Sequence, residues 1–291
     1  MIGIHTALVT PFLPDGALDL PAFERLLKRQ IDGGVHGVVV CGTTGEMPTV
    51  DPAEWSTLVS TAVALCRSHP GPRGRVAVSA GVGTNDTRST VRNARAAAEL
   101  GVDSVMAVLP YYNKPNAAGL RAHVREVAAV PVPVMLYHVP GRTAQRLEPA
   151  LLAELANTAG VVAVKEATGD LRYGTDLMGL TDRAVLSGDD FSFLGLLAQG
   201  GTGCVSVLSN VAPAETVRVY ELSVAGRPVE AAAELRKLWE LATFLFSDAS
   251  PAPTKAALAA LGLCGPEVRL PIAPYGGPSP RELVHRALGG R

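Results

Sequence analysis

Lys165 is the residue of this chain whose chemistry is easiest to anticipate. It ends the apolar run 161–165 and is one of five lysines in a chain whose basic residues are otherwise arginine. An amine held in an apolar hollow is poorly solvated when charged, which lowers its pKa and exposes a nucleophile for carbonyl carbon. We therefore expect Lys165 to form a Schiff base. The alternative is an ion pair with Glu166 at the rim of the fold.

Tyr137 is the second candidate, because it lies near the end of the preceding apolar run, 132–138. If the two runs are neighbouring strands, the phenol and the amine share a cavity, and Tyr137 can move protons as the amine adds and water leaves. A buried tyrosine bonded to a backbone carbonyl is the alternative. Strand alternation turns the next residue, His138, away from that cavity and predicts a packing role.

Several loops that follow apolar runs carry groups suited to carboxylates. The turn 42–46 has two hydroxyls, Thr43 and Thr44, and glycines that let backbone amides approach a ligand. Arg142 follows the fifth run, where its guanidinium can fork onto a second carboxylate. An ordinary strand-to-helix loop and a solvated arginine are the respective alternatives.

Two other loops suggest what surrounds the substrate. Tyr111 and Tyr112 follow the fourth run, and paired loop aromatics indicate a packing contact or a subunit interface. Asp189 and Asp190 follow the seventh run, where their charges would repel a phosphate. We therefore expect a substrate without a phosphate group.

The elements that must position these residues are eight short apolar runs separated by segments of helical periodicity. Most runs are continuous rather than alternating, which is typical of parallel strands covered by helices. The runs are Ile4 to Val9, Gly37 to Cys41, Val76 to Ala80, Ser104 to Leu109, Val132 to His138, Val161 to Lys165, Ala184 to Ser187 and Cys204 to Val207. The intervening helices include 20–31, 52–66, 87–100 and 149–156, with N-caps at Asp19, Asp51 and Asn85 or Asp86, and ends near Gly33, Gly101 and Gly160.

Eight strand–helix units predict an α/β fold, a (β/α)8 TIM barrel over residues 1–225, with its site at the carboxyl ends of the strands. Residues 226–291 predict a C-terminal helical extension, with helices over 229–246, 251–261 and 280–288. A doubly wound open sheet is the alternative, but no G-x-G-x-x-G motif follows the first run.

Composition excludes several classes of partner. The chain has 291 residues, 47% hydrophobic residues and a formal charge of −1, which favours neither nucleic acid nor an anionic membrane. Neither a signal peptide nor an apolar run of spanning length is apparent, so we expect a cytoplasmic protein. The scattered cysteines, at positions 41, 66, 204 and 264, predict no metal site.

Taken in order, these motifs resemble the dihydrodipicolinate synthase and N-acetylneuraminate lyase family of class I aldolases. The resemblance runs along essentially the whole chain. Its segments are Ala7 to Phe12, Gly42 to Glu46, Pro110 to Pro115, Tyr137 to Thr143, Lys165 to Gly169, Ser187 to Asp190 and Arg269 to Pro271.

The resemblance implies a role for each candidate. Lys165 would be the Schiff-base lysine and Tyr137 the proton relay, completed by Thr43 and by Tyr112 from a neighbouring subunit. Pyruvate would be held by Thr44, Gly188 and the backbone at Val205, and Arg142 would bind the carboxylate of the second substrate. The family suggests a homotetramer, requiring at least a dimer, and the imine would be the electron sink, so no cofactor is expected.

The stretch from Val139 to Thr143 resembles the synthase branch of the family. This implies condensation of pyruvate with L-aspartate 4-semialdehyde to give 4-hydroxy-tetrahydrodipicolinate, on the way to lysine and diaminopimelate. Another pyruvate-dependent lyase or hydratase-aldolase of the family, acting on 2-keto-3-deoxy sugar acids or N-acetylneuraminate, is the alternative. So is a keto-acid-binding barrel without turnover. His138 departs from the asparagine usual in synthases and puts the branch in question.

Overall fold

Eight parallel strands close into a barrel in which each strand pairs with the next along the chain and β8 returns to β1. The computed structural model describes residues 1–289. The strands are β1 (Gly3–Ala7), β2 (Gly37–Val40), β3 (Ala77–Gly81), β4 (Ser104–Val108), β5 (Val134–His138), β6 (Val161–Glu166), β7 (Ala184–Ser187) and β8 (Gly203–Ser206). The predicted (β/α)8 barrel is confirmed, and each predicted run overlaps a strand.

Twelve helices occur within residues 1–289, and the first nine follow the strands around the barrel. These nine are α1 (Leu20–Asp32), α2 (Pro52–Ser68), α3 (Thr87–Glu99), α4 (Ala117–Ala128), α5 (Pro140–Thr143), α6 (Pro149–Ala156), α7 (Leu171–Met178), α8 (Phe193–Ala198) and α9 (Pro213–Val224). The remaining three are α10 (Pro228–Leu245), α11 (Ala252–Ala260) and α12 (Arg281–Ala287). The predicted boundary at residue 225 stays a prediction, and it falls in the connection between α9 and α10.

Capping residues explain where several helices begin. The carboxylate of Asp19 accepts the amide N–H of Ala22 at the start of α1. Asp51 and Glu54 form a reciprocal capping box at the start of α2. Of the two predicted caps of α3, it is Asp86 that accepts the amide of Ser89. These carboxylates satisfy N–H groups that the first turn of a helix leaves without partners.

The helix predicted over 149–156 is confirmed, but the prediction that Gly160 marks its end is wrong. The helix α6 ends at Ala156 with Asn157 as its C-cap, whereas Gly160 lies directly before β6. Gly160 has φ +94°, and a Cβ there would lie 3.3 Å from the carbonyl carbon of Ala128. Glycine is needed at this position because the chain turns into β6 close to the backbone of the last residue of α4.

The strands separate two apolar layers. The inner layer fills the barrel and consists of Ala7, Val39, Met106, Met135, Tyr137, Val139, Ala163, Leu186 and Val205. The outer layer lies between the strands and the helices and includes Val38, Val105, Val164 and Val185. Side chains alternate between the layers along each strand, so every second residue points toward the barrel axis.

Within residues 1–289 no helix combines the length and the apolar composition that crossing a bilayer requires.

Candidate active site

Lys165 and Tyr137 meet in the interior of the barrel. They are in register on β6 and β5, each two residues beyond an inner-layer residue, Ala163 and Met135. Both side chains are 5% exposed, and Nζ of Lys165 lies 4.0 Å from the centroid of the Tyr137 ring. The alternative ion pair with Glu166 does not form, because that carboxylate is on the outer side of β6 and accepts the amide of Thr168 at 2.6 Å.

Gly188 and Val205 extend the same pocket across β7 and β8. Lys165 is in register with Leu186, so Gly188 lies two residues further along, beside the lysine side chain. A Cβ added to Gly188 would lie 2.8 Å from Cε and 3.1 Å from Cγ of Lys165. Val205 is 1% exposed and belongs to the inner layer with Tyr137. Their predicted roles in holding the substrate stay predictions.

The threonine loop, residues 42–46, follows β2 at the same end of the barrel. Thr44 is buried and Thr43 is half-buried. The loop is closed by two hydrogen bonds, in which the amide of Glu46 donates to the carbonyl of Thr43 at 3.0 Å and the hydroxyl of Thr10 donates to the carbonyl of Gly45 at 2.7 Å. It is therefore an ordered turn.

Tyr112 is not brought to the pocket within one chain. Its side chain is 87% exposed, and its backbone has φ +70°, a left-handed conformation that is costly for a bulky residue. The neighbouring Asn113 anchors the loop by donating from its side-chain amide to the carbonyl of Asn85 at 2.8 Å. The loop thus holds an aromatic ring out into solvent instead of packing it.

Arg142 lies in the single-turn helix α5, just beyond the end of β5. Its amide donates to the carbonyl of Val139 at 2.9 Å, while its side chain is exposed. Within residues 1–289 its guanidinium forms no ion pair. It is therefore available to a soluble carboxylate near the end of β5.

Asp190 explains why the loop after β7 does not suit a phosphate. Its buried carboxylate accepts the amides of Val207 and Leu208 at 2.8 and 2.9 Å, at the start of the short 3-10 turn after β8. Barrel enzymes often bind phosphate with backbone amides in this region. Here a carboxylate of the chain itself occupies those amides, in keeping with the expected substrate.

His138 and Glu166 form the outer side of the site. They are in register on β5 and β6 and face away from Lys165. The ring of His138 is fully buried and stacks on Tyr173 with 5.6 Å between centroids, which confirms the predicted packing role. Burial, helped by the charge of Arg146, lowers the pKa of His138 to about 4, and burial also raises the pKa of Glu166.

Comparison with known proteins now identifies the family. The dihydrodipicolinate synthetase family matches residues 1–287. The chain belongs to this family. It is 46% identical over 279 residues to the 4-hydroxy-tetrahydrodipicolinate synthase of Sorangium cellulosum, covering 94% of this chain and 91% of that relative.

Solved structures of the family agree with this barrel. The dihydrodipicolinate synthase of Thermotoga maritima superposes with a TM-score of 0.92 at 36% identity, covering 99% of this chain and 98% of that one. The enzyme of Acinetobacter baumannii, solved in complex with pyruvate, superposes with a TM-score of 0.92 at 34% identity, with the same coverage. The family resemblance inferred from the motifs is thus confirmed.

The sequence alone reveals no role for Glu46, the last residue of the threonine loop, or for its contacts Lys255 and Arg269. The carboxylate of Glu46 lies 2.5 Å from Nζ of Lys255 and accepts the amide of Arg269 at 2.9 Å. Both partners come from the C-terminal segment, so no local pattern relates them to the loop. The available signal was composition, since Lys255 is a rare lysine within an apolar helix.

Proposed function

We propose that the protein condenses pyruvate with L-aspartate 4-semialdehyde to give 4-hydroxy-tetrahydrodipicolinate, through a Schiff base on Lys165. The observation that carries the proposal is the buried amine of Lys165 at 4.0 Å from the ring of Tyr137. The names of the relatives, and the pyruvate bound by the Acinetobacter baumannii enzyme, support the choice of substrates. No metal or organic cofactor enters the reaction.

The first step is imine formation. The amine of Lys165 adds to C2 of pyruvate, forming a carbon–nitrogen bond, and the carbonyl oxygen takes up a proton as the nitrogen loses one. The resulting hydroxyl takes up a second proton and leaves as water, and the nitrogen loses its second proton as the carbon–nitrogen double bond forms. Both events move protons at atoms within the pocket, and the phenol of Tyr137 is the acid–base group beside the amine.

The threonine loop supplies the groups that hold the substrate. The backbone amides around the buried Thr44 are suited to the carboxylate of pyruvate. We assign the hydroxyl of the half-buried Thr43 to the proton relay with Tyr137. Gly188 leaves room for the aliphatic part of Lys165, and the backbone at Val205 closes the inner side of the pocket.

The second step forms the carbon–carbon bond. Loss of a proton from C3 of the imine gives an enamine, whose C3 attacks the aldehyde carbon of the second substrate. The aldehyde oxygen takes up a proton and becomes a hydroxyl, and the imine at C2 is restored. The amine of the second substrate then adds to C2, which closes the ring, and Lys165 takes up a proton and leaves as a free amine. In this proposal Arg142, whose guanidinium is exposed just beyond the end of β5, binds the carboxylate of the second substrate as a forked pair.

We infer from the exposed Tyr112 that a second subunit completes this site. A tyrosine that is 87% exposed on a strained loop is explained if its ring inserts into the pocket of a neighbouring copy and completes the proton relay there. The active unit is then at least a dimer, and we propose a homotetramer built from two such dimers. Sedimentation of the purified protein measures this directly.

The reaction itself is tested by mixing purified protein with pyruvate and L-aspartate 4-semialdehyde and following the cyclic product by mass spectrometry. The matched control is the Lys165→Met variant, which keeps a long side chain but removes the amine. Product formation that depends on Lys165 is expected. Cleavage of sugar acids without condensation would instead assign the protein to a lyase of the same family.

A further inference from the structure

The threonine loop is held in a conformation that its own residues do not favour. Glu46, at its end, has φ +56°, and Cys41, directly before it, has φ +54°. Residues with a Cβ adopt such left-handed backbone only at a cost, which the surrounding structure must offset. Contacts outside the loop are therefore needed to keep Thr43 and Thr44 in place.

Those contacts come from the carboxylate of Glu46, which points away from the substrate and into the protein. It is 2% exposed, and Oε1 lies 2.5 Å from Nζ of Lys255. Oε2 accepts the backbone amide of Arg269 at 2.9 Å. One side chain thus links the loop to two separate parts of the C-terminal segment.

Lys255 is built into this position and has no access to solvent. It is fully buried in α11, and its amine also donates to the carbonyl of Glu267 at 2.7 Å. Its Nζ lies 4.2 Å from the centroid of the Phe12 ring, which the guanidinium of Arg269 also approaches, at 4.1 Å. Burial lowers the pKa of Lys255, and the charge of Glu46 opposes that effect.

The side chain of Arg269 makes further hydrogen bonds to residues near the threonine loop. Its guanidinium makes a forked pair with Glu54 of α2, at 2.6 and 2.5 Å, and donates to the carbonyls of Thr49 and Gly16 at 2.6 Å each. Arg269 therefore bonds the C-terminal segment to Thr49, just after the threonine loop, and to Glu54 in the first turn of α2. A shift of α11 would be transmitted to the loop through these contacts.

We propose that Lys255 and Glu46 are positioning residues for pyruvate: their buried ion pair holds the threonine loop so that Thr43 and Thr44 face the substrate. The C-terminal helices then form part of the substrate-binding apparatus through the threonine loop. This role rests on the proposed function of the loop. A buried ion pair gives little stability over a well-packed apolar pair, so its presence calls for a different explanation.

The test uses the full-length double variant Glu46→Gln/Lys255→Met, which removes both charges together. Removing either charge alone is destabilising, because the other charge stays buried without its ionic partner. Glu46→Gln is the better single variant, because it keeps an acceptor for the amide of Arg269 and the amine of Lys255 keeps its hydrogen bond to the carbonyl of Glu267. The control is Leu241→Ala, which opens a cavity in the buried face of α10 and lowers the melting temperature without touching the loop.

Each protein is assayed below its melting temperature for KM of both substrates, for kcat and for the dissociation constant of pyruvate by calorimetry. We expect the double variant to raise KM and the dissociation constant for pyruvate about tenfold or more. A misplacement of the threonine loop by about 1 Å can cost up to about 10²-fold. We expect KM for the aldehyde to stay unchanged, and Glu46→Gln to give an intermediate value. The Leu241→Ala control should keep wild-type constants.

A folded double variant or Glu46→Gln variant with the wild-type dissociation constant for pyruvate would overturn the proposal. So would an equal loss of pyruvate affinity in Leu241→Ala, because the effect would then follow stability alone. Failure of the proposed function is recognised separately, in the wild-type protein, by the absence of a borohydride-trapped adduct on Lys165. The comparison of pyruvate affinities still decides the role of the pair in that case.

Discussion

Substituting Gly188 by alanine tests whether Gly188 packs directly against the side chain of Lys165, as the structure indicates. The new Cβ would lie 2.8 Å from Cε of Lys165 and 2.7 Å from Cβ of Ala167. Carbon atoms pack at about 3.5–4.0 Å, so the lysine must move by roughly 0.7 Å or more. The backbone of Gly188 lies outside the left-handed region, so alanine itself fits the local chain.

The expected cost is catalytic more than structural. Overpacking one methyl group destabilises a core by about 1–3 kcal/mol, which a folded domain with about 5–15 kcal/mol of stability tolerates. A displacement near 1 Å of a reacting group, in contrast, lowers rates by about 10²-fold. We therefore expect Gly188→Ala to remain folded while kcat/KM for pyruvate falls by about two orders of magnitude.

The assay is steady-state turnover together with the rate of imine trapping by borohydride. The matched control is Gly195→Ala, where the added Cβ would lie 2.8 Å from Cδ1 of Leu171, the end of a side chain that is 36% exposed. The new Cβ of that variant is as close to Leu171 as the new Cβ of Gly188→Ala is to Lys165, but it lies away from the site. Gly195→Ala should therefore keep wild-type activity. A Gly188→Ala variant with unchanged trapping and turnover would refute the inferred contact with Lys165.

Three further predictions concern single residues. Tyr137→Phe should lower kcat by about 10²- to 10⁴-fold, the usual contribution of an acid–base group, while leaving the fold intact by circular dichroism; unchanged kcat would exclude the phenol from the relay. Arg142→Ala should raise KM for the aldehyde about tenfold or more, as the loss of a charged hydrogen bond implies, and leave pyruvate trapping unchanged; a parallel loss of trapping would place Arg142 at the pyruvate site instead. The buried ring of His138, with a pKa of about 4, stays neutral in the folded state, whereas the unfolded chain takes up a proton near pH 6.5. Its contribution is therefore present above pH 6.5 and is lost as the pH falls toward 4, by on the order of 3 kcal/mol, so denaturant unfolding of His138→Asn should show a shallower acid loss than wild type. His5, whose pKa burial also lowers to about 4, contributes equally in wild type and in His138→Asn, so the difference between the two proteins isolates His138.

The parts of the fold that the sequence predicts are those fixed by neighbours along the chain. Continuous apolar runs predict buried parallel strands, and Asp19, Asp51 and Asp86 mark helix starts because each carboxylate bonds amides two or three residues away. The pairing of Lys165 with Tyr137 also follows, since adjacent parallel strands bring residues at corresponding positions to the same side of the sheet.

The parts that the sequence does not predict depend on contacts between distant segments. Glu46 and Lys255 form an ion pair only when the C-terminal helices pack against the barrel. No local sequence pattern around either residue predicts the other. The exposure of Tyr112 is similar, because an aromatic loop residue is equally compatible with packing inside its own chain. Gly160 is compatible with either a helix end or a strand entry, because glycine is favoured at both, and only the contact with Ala128 distinguishes them.

Borohydride reduction in the presence of pyruvate shows whether the amine of Lys165 condenses with this keto acid. We expect a mass increase corresponding to one reduced pyruvate adduct per chain, located by peptide mapping on Lys165 and missing in Lys165→Met. An adduct on the buried Lys255, or on any other lysine, or turnover by Lys165→Met at the wild-type rate, would contradict it.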